Sequence, residues 1–417
     1  MRYNIVFKLN VRQPKFLQNT PSVPTAKTFK APYTYVHPDA INSSINPTFP
    51  PQNFNGTQLL NLYNVLPVPV STGKRQVKIA VIIAYTYTGL LADLKIYWQN
   101  PINFGPESTP PKVIVYTMPG ATFNSGWAQE ECLDLQMICT MNPNAAIYVV
   151  EAKSDKVTDL MAAINYANTT IQPDVISMSW GIDDSTSLSP YNSNFNNPNI
   201  SYCAASGDAN NVSWPSVLSN CISVGGSTLI WTPQSSNPRT EYTWNGAGCG
   251  YAASVAQPSY QLGITNINHV KRAVPDLCMV GNQNTGVYVV YKGQWYSFGG
   301  TSVSTPLFAG ILSLANQQRF NVGKSALTTV YSTSATQPTS SIYVPPSNNV
   351  QQFLYKTIYP SNKYKNDFYD VTIGSDQGSV AGNSAILTTY IAGTGFDLTT
   401  GLGSPNCSNL CNDLATI

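Results

Sequence analysis

Four acidic and hydroxyl side chains along this chain could together perform nucleophilic chemistry. Ser302 lies in "SFGGTSVSTP" (297–306), where Gly299-Gly300-Thr301 is a turn of small residues opening a helical segment with Pro306 in its first turn. A serine lifted to a helix start is placed to attack a carbonyl, provided that a base takes its proton. The same position also suits a plain helix N-cap. The usual base is histidine, and the chain has two, His37 and His269. His37 falls in a Pro- and Asn-rich arm and His269 in a polar loop, and neither opens a helical pattern. The first buried strand ends Ala84-Tyr85, with no aspartate to orient an imidazole. A histidine-based triad is therefore not expected.

The segment "GWAQEECLDLQMICTMNP" (126–143) offers another base. On a helix Glu130 and Asp134 are four apart and share a face, where like charges repel. Left in water they are only an acidic surface pair. Pressed together toward a site they share a proton, which raises one pKa. The ionised member then serves as base and its partner orients it. Glu131 is the rival base, and the four-residue spacing from Asp134 favours Glu130. In "CAASGDANNVSWP" (203–215), Asp208 follows a small-residue strand end, at the edge where α/β folds bind ligands. It reads either as a turn aspartate or, protonated, as a donor aimed at a developing oxyanion.

The elements that would position these residues are legible as apolar runs. "VKIAVIIAY" (77–85), "KVIVYTM" (112–118), "AAIYVVEA" (145–152), "DVISMSWG" (174–181) and "CISVGGSTL" (221–229) fit buried parallel strands. Helical patterns at 126–141 and 155–167, the latter capped by Ser154 or Asp155, lie between them. Strand–helix alternation predicts a doubly wound, mostly parallel α/β sheet flanked by helices. "VYVVYKGQWYSF" (287–298) predicts a hairpin turning at Lys292-Gly293 that delivers the chain to Ser302. Residues 1–58 read as an extended arm beginning with an edge strand, and 320–365 as polar surface loops.

Composition narrows the function classes. Only 10% of the 417 residues are charged, against about 25% in soluble domains. Net charge is +2 with no basic block, so nucleic acid is not an expected partner. Few charges suit an acid environment, because little self-repulsion builds as carboxylates protonate. No apolar run reaches about 18 residues, so no membrane span is expected. The N-terminus alternates apolar with polar and does not read as a signal peptide. Six glycosylation sequons, at Asn42, Asn55, Asn168, Asn199, Asn211 and Asn406, lean toward a secretory route. Of the eight cysteines, Cys203 with Cys221 and Cys407 with Cys411 are the pairings to test first.

Taken in order, Glu130-Glu131-Cys132-Leu133-Asp134, Ser177-Met178-Ser179-Trp180-Gly181, Ser206-Gly207-Asp208 and Gly300-Thr301-Ser302-Val303-Ser304 resemble the motifs of the sedolisins, or serine-carboxyl peptidases. These have a subtilisin-like fold with glutamate in place of histidine. The resemblance runs from about residue 59 to the C-terminus, giving a catalytic domain of 59–417 after the 1–58 arm. It implies Glu130 as general base, Asp134 as its partner, Asp208 as oxyanion donor and Ser302 as nucleophile. It also implies that Ser179, Trp180 and Gly181 line the cleft for a peptide or protein substrate. "FYDVTIGS" (368–375) and "AGTGFDLTTGLGSPN" (392–406) resemble the family's calcium site. Asp370 and Asp397 would supply carboxylates, and Val371, Gly393 and Gly395 carbonyls, in keeping with calcium's six to eight or so oxygen ligands. The plainer alternative there is a glycine-rich turn with two surface aspartates. Phe396 stands where the family usually has Trp, and the 58 preceding residues do not read as the family's large prosegment. The resemblance favours a secreted or otherwise acidic location, with oligomeric state open. It implies an acid-acting endopeptidase or tripeptidyl-peptidase. The rival is a catalytically silent module that binds peptide or assembles on a larger particle.

Overall fold

The computed structural model describes residues 52–208, 210–233, 238–268, 270–331, 346–380 and 383–417. The initial edge strand, most of the 1–58 arm, His37 and His269 lie outside them. The five apolar runs form parallel strands β1 (Lys78–Ala84), β2 (Val113–Thr117), β3 (Ala146–Ala152), β4 (Val175–Met178) and β6 (Cys221–Trp231). The small-residue strand before Asp208, β5 (Ser201–Ala205), is not one of those runs and joins them in one sheet. Arg239–Thr243 (β7) pairs antiparallel with β6, and Leu277–Val280 (β8) closes the other side of β6 in parallel. The spatial order is β8-β6-β5-β4-β1-β3-β2, so the expected doubly wound α/β sheet is observed. Strands β4, β5 and β8 are buried at every position, and β4 accordingly reads as a continuous apolar run rather than an alternating one.

Five helices matter for the site: α1 (Gly56–Leu62), α2 (Leu90–Gln99), α3 (Ser125–Met141), α4 (Val157–Tyr166) and α5 (Thr301–Asn321). No helix among the described residues is long and apolar enough to cross a membrane. Helix α3 starts where the Asn124 side chain accepts from the N–H groups of Gly126 and Trp127, satisfying two donors that the first turn leaves open. From Glu130 to Met141 every residue of α3 is buried, because α5, the hairpin and the sheet surround it. At the far end of that contact, a Cβ on Gly310 of α5 would lie 2.4 Å from Met141 Cβ, so the two helices approach through a glycine. For α4 the expected caps are not used: the cap residue is Lys156, and Ser154 instead donates to Asp159.

The expected hairpin forms from β9 (Val287–Tyr291) and β10 (Gln294–Phe298). Lys292 and Gly293 both have positive φ, 50° and 69°, the twist that two-residue hairpin turns require. Asp93 of α2 accepts both of their N–H groups at 2.8 Å, and Gln136 of α3 bonds the N–H and C=O of Val290. The hairpin that leads to Ser302 is thus fixed to two helices. Residues 52–58 already belong to the packed body, since Phe54 is 1% exposed and bridges Val287. The polar 320–365 stretch departs from its surface-loop expectation. Leu327, Val330, Tyr331, Val350, Leu354 and Ile358 are buried there. Short helical turns at Val350–Phe353 and Leu354–Ile358 bring apolar residues four apart onto one face. Residues 332–345 of that stretch lie outside the described residues.

Candidate active site

Ser302 is the second residue of α5, and Gly300 rather than the serine is the cap. Gly300 has φ +122°, a region closed to other residues, and a Cβ there would lie 2.6 Å from Asp208 Oδ2. Pro306 falls in the second turn, not the first. A proline at that position removes the N–H that would bond the carbonyl four residues earlier, which is that of Ser302. The freed Ser302 carbonyl lies 3.4 Å from Ser179 Oγ, whose hydrogen goes chiefly to Asp134. The Ser302 hydroxyl lies 3.5 Å from the Ser179 carbonyl and within the reach of Glu130.

Helix α3 carries three acids inside the protein within two turns: Glu130 is 4% exposed, Glu131 1% and Asp134 0%. An exposed acidic pair is therefore not what forms. Asp134 Oδ1 accepts the Ser179 hydroxyl, and Asp134 Oδ2 and Glu130 Oε1 are buried without a hydrogen-bond partner. Among the described residues no lysine, arginine or histidine pairs with any of these acids. Burial pushes the Glu130 carboxyl well above its usual range, and the neighbouring Asp134 charge adds to this, while the Ser302 hydroxyl opposes it. Burial likewise raises Asp134, and the Ser179 bond opposes it. Two carboxyls in this setting hold a proton between them. Glu131 interacts with Glu151 rather than Ser302: its rise comes from burial, then from Glu151, and then from Asp134.

Asp208 follows β5 on the turn at Gly207, whose φ is +126°. Its Oδ1 accepts the N–H and the hydroxyl of Thr301, both at 2.7 Å, and its Oδ2 is buried without a partner. Burial raises this carboxyl to about 6, against the pull of the Thr301 bonds. The site therefore brings Glu130, Asp134, Asp208 and Ser302 together from α3, the end of β5 and the start of α5. The hydroxyl thus has a buried carboxyl pair near it and a third buried carboxyl beside the start of its helix.

The expected cleft residues divide. Trp180 is fully buried, and its indole donates to the Ile82 carbonyl at 2.8 Å. Ser179 is also buried, holding Asp134. These two can present only main chain to a substrate, and Gly181 is half-buried. Thr301 was not singled out by the sequence, although it lies within the Gly-Thr-Ser motif. Glu151, an acid inside the apolar run "AAIYVVEA", carried a signal that its class alone makes conspicuous.

The C-terminal loops gather the calcium candidates. Asp370 accepts from Tyr364 Oη at 3.1 Å and from the Gly395 N–H at 2.9 Å. Asp397 accepts from Thr399 and Thr400 and, at 3.2 Å, from the Gly393 N–H. Burial raises both carboxyls, Asp397 to about 6. Among the described residues no cluster of three or more Asp, Glu, His or Cys could hold a metal. A cation here would depend on backbone carbonyls, and the donor set of two carboxylates with Val371, Gly393 and Gly395 carbonyls fits calcium in kind. The eight cysteines are buried free thiols. Cys203 lies opposite Ile222, and Cys221 opposite Tyr202, so the two thiols point to opposite faces of the sheet. Cys407 and Cys411 have sulfurs 3.8 Å apart, unbonded.

Comparison with known proteins agrees with this fold. The subtilase family (peptidase S8) matches residues 120–368. Tripeptidyl-peptidase 1 of Dictyostelium discoideum is 25% identical over 352 residues, 76% of this chain and 51% of its own length. Kumamolisin of Bacillus sp. (strain MN-32) is 25% identical over 330 residues, 71% of this chain and 53% of its own. The chain thus spans about half the length of these relatives. A solved structure of Pseudomonas sedolisin, a serine-carboxyl proteinase complexed with two molecules of pseudo-iodotyrostatin, covers 87% of this chain and 98% of its own. Its TM-score is 0.67 at 21% identity, which supports the shared fold. The chain belongs to the subtilase family, with sedolisins among its relatives.

Proposed function

We propose that this protein is an acid-acting serine-carboxyl peptidase. The observation that carries the reading is the placement of Ser302 between two kinds of carboxyl. Glu130 lies on its hydroxyl side, and the unpartnered Asp208 Oδ2 lies beside the start of its helix. Ser302 Oγ attacks the peptide carbonyl carbon, and its proton passes to ionised Glu130. Asp134 keeps the proton shared with Glu130 and is itself held by Ser179. The negative oxygen of the tetrahedral intermediate accepts a hydrogen bond from protonated Asp208. Collapse expels the amine, which takes the proton from Glu130, and leaves an ester on Ser302. Water then attacks the ester, gives its proton to Glu130, and Ser302 recovers it as the acid product leaves.

A calcium ion held by Asp370 and Asp397 with the carbonyls of Val371, Gly393 and Gly395 completes the reading. It would neutralise a half-buried carboxylate (Asp370) and a buried one (Asp397) and brace the loops that carry them. A peptide aldehyde or phosphonate should label Ser302 at acid pH and fail to label Ser302→Ala. Equal labelling of both proteins would remove the nucleophile from the proposal.

A further inference from the structure

Beside the Glu130–Asp134 pair lies another pair of acids that the reaction does not use. Glu131 on α3 and Glu151 on β3 are each 1% exposed and in contact. Glu151 sits directly opposite Thr117 of β2 and Ile83 of β1. Its Oε1 accepts the Tyr87 N–H at 3.1 Å, and its Oε2 accepts the Thr117 hydroxyl. Both of its oxygens are therefore acceptors. Neither Glu131 oxygen has a neutral donor or acceptor, so the contact between the two carboxyls needs a proton, and Glu131 is the residue left to bring it.

We propose that Glu131 and Glu151 form a second proton-sharing carboxyl pair, which holds α3, and with it Glu130 and Asp134, against the carboxyl ends of β2 and β3. Glu131 follows Glu130 by one residue and precedes Asp134 by three, so a shift of its turn moves both. The groups facing the pair are all acidic or neutral. They are Asp134 and Cys132 from α3 and the Tyr87 N–H from the loop after β1, whose phenol turns instead to Asp93 of α2. Cys132 Sγ lies 3.8 Å from the same Asp93. Among the described residues no cation pairs with Glu131 or Glu151, so none can replace the proton once it is lost. Burial and the Glu151 charge both favour keeping it on Glu131. At higher pH two adjacent charges would open the α3–β3 contact and pull Glu130 out of line with Ser302. Glu131 and Glu151 are positioning residues, since neither touches the reacting atoms.

The proposal rests on Glu130 as base, and its test separates the two. Glu131→Gln keeps an N–H donor toward Glu151 at every pH. Its melting temperature should fall less between pH 4 and 7 than that of the full-length wild type, because the other buried acids still titrate but the Glu131 contribution is gone. It should also keep activity at the acid optimum within about threefold, because the bond that places α3 survives. Glu131→Leu leaves Glu151 buried without its donor. Its kcat should drop about tenfold or more with little change in KM, as expected when a base is misplaced and binding is not. Identical melting profiles for wild type and Glu131→Gln would overturn the shared proton. Wild-type kcat in Glu131→Leu would overturn the positioning role. The melting comparison requires no catalysis, so it stands or falls independently of whether Ser302 and Glu130 cleave peptides.

Discussion

Asp208 accepts both the main-chain N–H and the hydroxyl of Thr301, each at 2.7 Å, and so grips the residue immediately before Ser302. One carboxylate oxygen is consumed in this grip, and the other is left buried and unpaired. A residue held this way has its protonation state tied to the register of the nucleophile.

The first prediction concerns pH. Asp208 is raised to about 6 by burial, and it must hold its proton to donate to an oxyanion. Activity should therefore fall as pH rises through about 6, where ionised Asp208 would repel the charge it should stabilise. The acid limb follows where the Glu130–Asp134 pair takes up its second proton and no ionised base remains, giving a bell-shaped profile with an acid optimum. Asp208→Asn keeps a neutral donor throughout, so kcat/KM should lose less on its alkaline limb. A wild-type optimum at pH 7–8 would refute the carboxylate mechanism.

The nucleophile and base make a paired test. Ser302→Ala should fold and lose roughly 10⁶ in kcat, the scale seen when a serine nucleophile is removed. Glu130→Gln should be similarly poor, whereas Glu131→Gln should be mild, because Glu131 contacts Glu151 and not Ser302. Exchange of those two outcomes in steady-state assays would mean that Glu131 is the base.

Much of this was legible in sequence, and for a physical reason. A parallel strand buried on both faces must be a continuous apolar run, so β1, β3, β4 and β6 stood out. The order of the four motifs pointed to one candidate site: three of them fall at a strand end or helix start, and the fourth, 130–134, lies inside α3. What sequence could not supply was direction. "SWG" gives no sign that the Trp180 indole turns inward to Ile82. Nor does the proline rule, applied to a helix whose first residue is unknown, show that Pro306 frees the Ser302 carbonyl, which lies beside Ser179. The polar 320–365 stretch misled because its few apolar residues, spaced for one helical face, are diluted by Ser, Thr and Asn.

Stability should rest on acid. Glu130, Glu131, Asp134, Asp208 and Asp376 are all raised, in each case chiefly by burial. In the unfolded chain such groups titrate near 4, so above that pH the folded state binds more protons than the unfolded one. Stability from these groups is fully present below about pH 4 and is lost as pH rises through each folded pKa, at about 1.4 kcal/mol per pH unit per excess proton. For Asp208 that window closes at about 6. Melting of Ser302→Ala, which cannot digest itself, should move to lower temperature from pH 4 to 7. A rise over that range would contradict the burial of unpaired acids as a governing feature.

The calcium loops give a separate readout. A ligand bound only by the native state stabilises it by mass action, by about 2.7 kcal/mol at a hundredfold excess over Kd. Strong chelator should therefore lower the melting temperature, and Asp370→Ala and Asp397→Ala should each mimic it without further response to chelator. Unchanged melting with no calcium by elemental analysis would leave Asp397 as only the cap of its Thr399-Thr400 turn.

Gly300→Ala tests the geometry that joins the oxyanion donor to the nucleophile. At φ +122° an alanine is strained, typically by about 1–3 kcal/mol. Its Cβ would also lie 2.6 Å from Asp208 Oδ2, the oxygen proposed to carry the catalytic proton. Asp208 cannot swing aside freely, because its other oxygen is held twice by Thr301. The carboxyl must move or the helix start must shift, and either removes a donor from the oxyanion. Loss of one such donor costs about 10²–10³ in kcat in comparable sites, with KM little changed. Gly310→Ala is the matched control. It forces a Cβ against Met141 at 2.4 Å, at the far end of the α3–α5 contact. It should lower melting while sparing more of kcat in the fraction that remains folded. If the two variants lose kcat equally at matched stability, Gly300 is serving only the backbone, and Asp208 Oδ2 is not the group that meets the oxyanion.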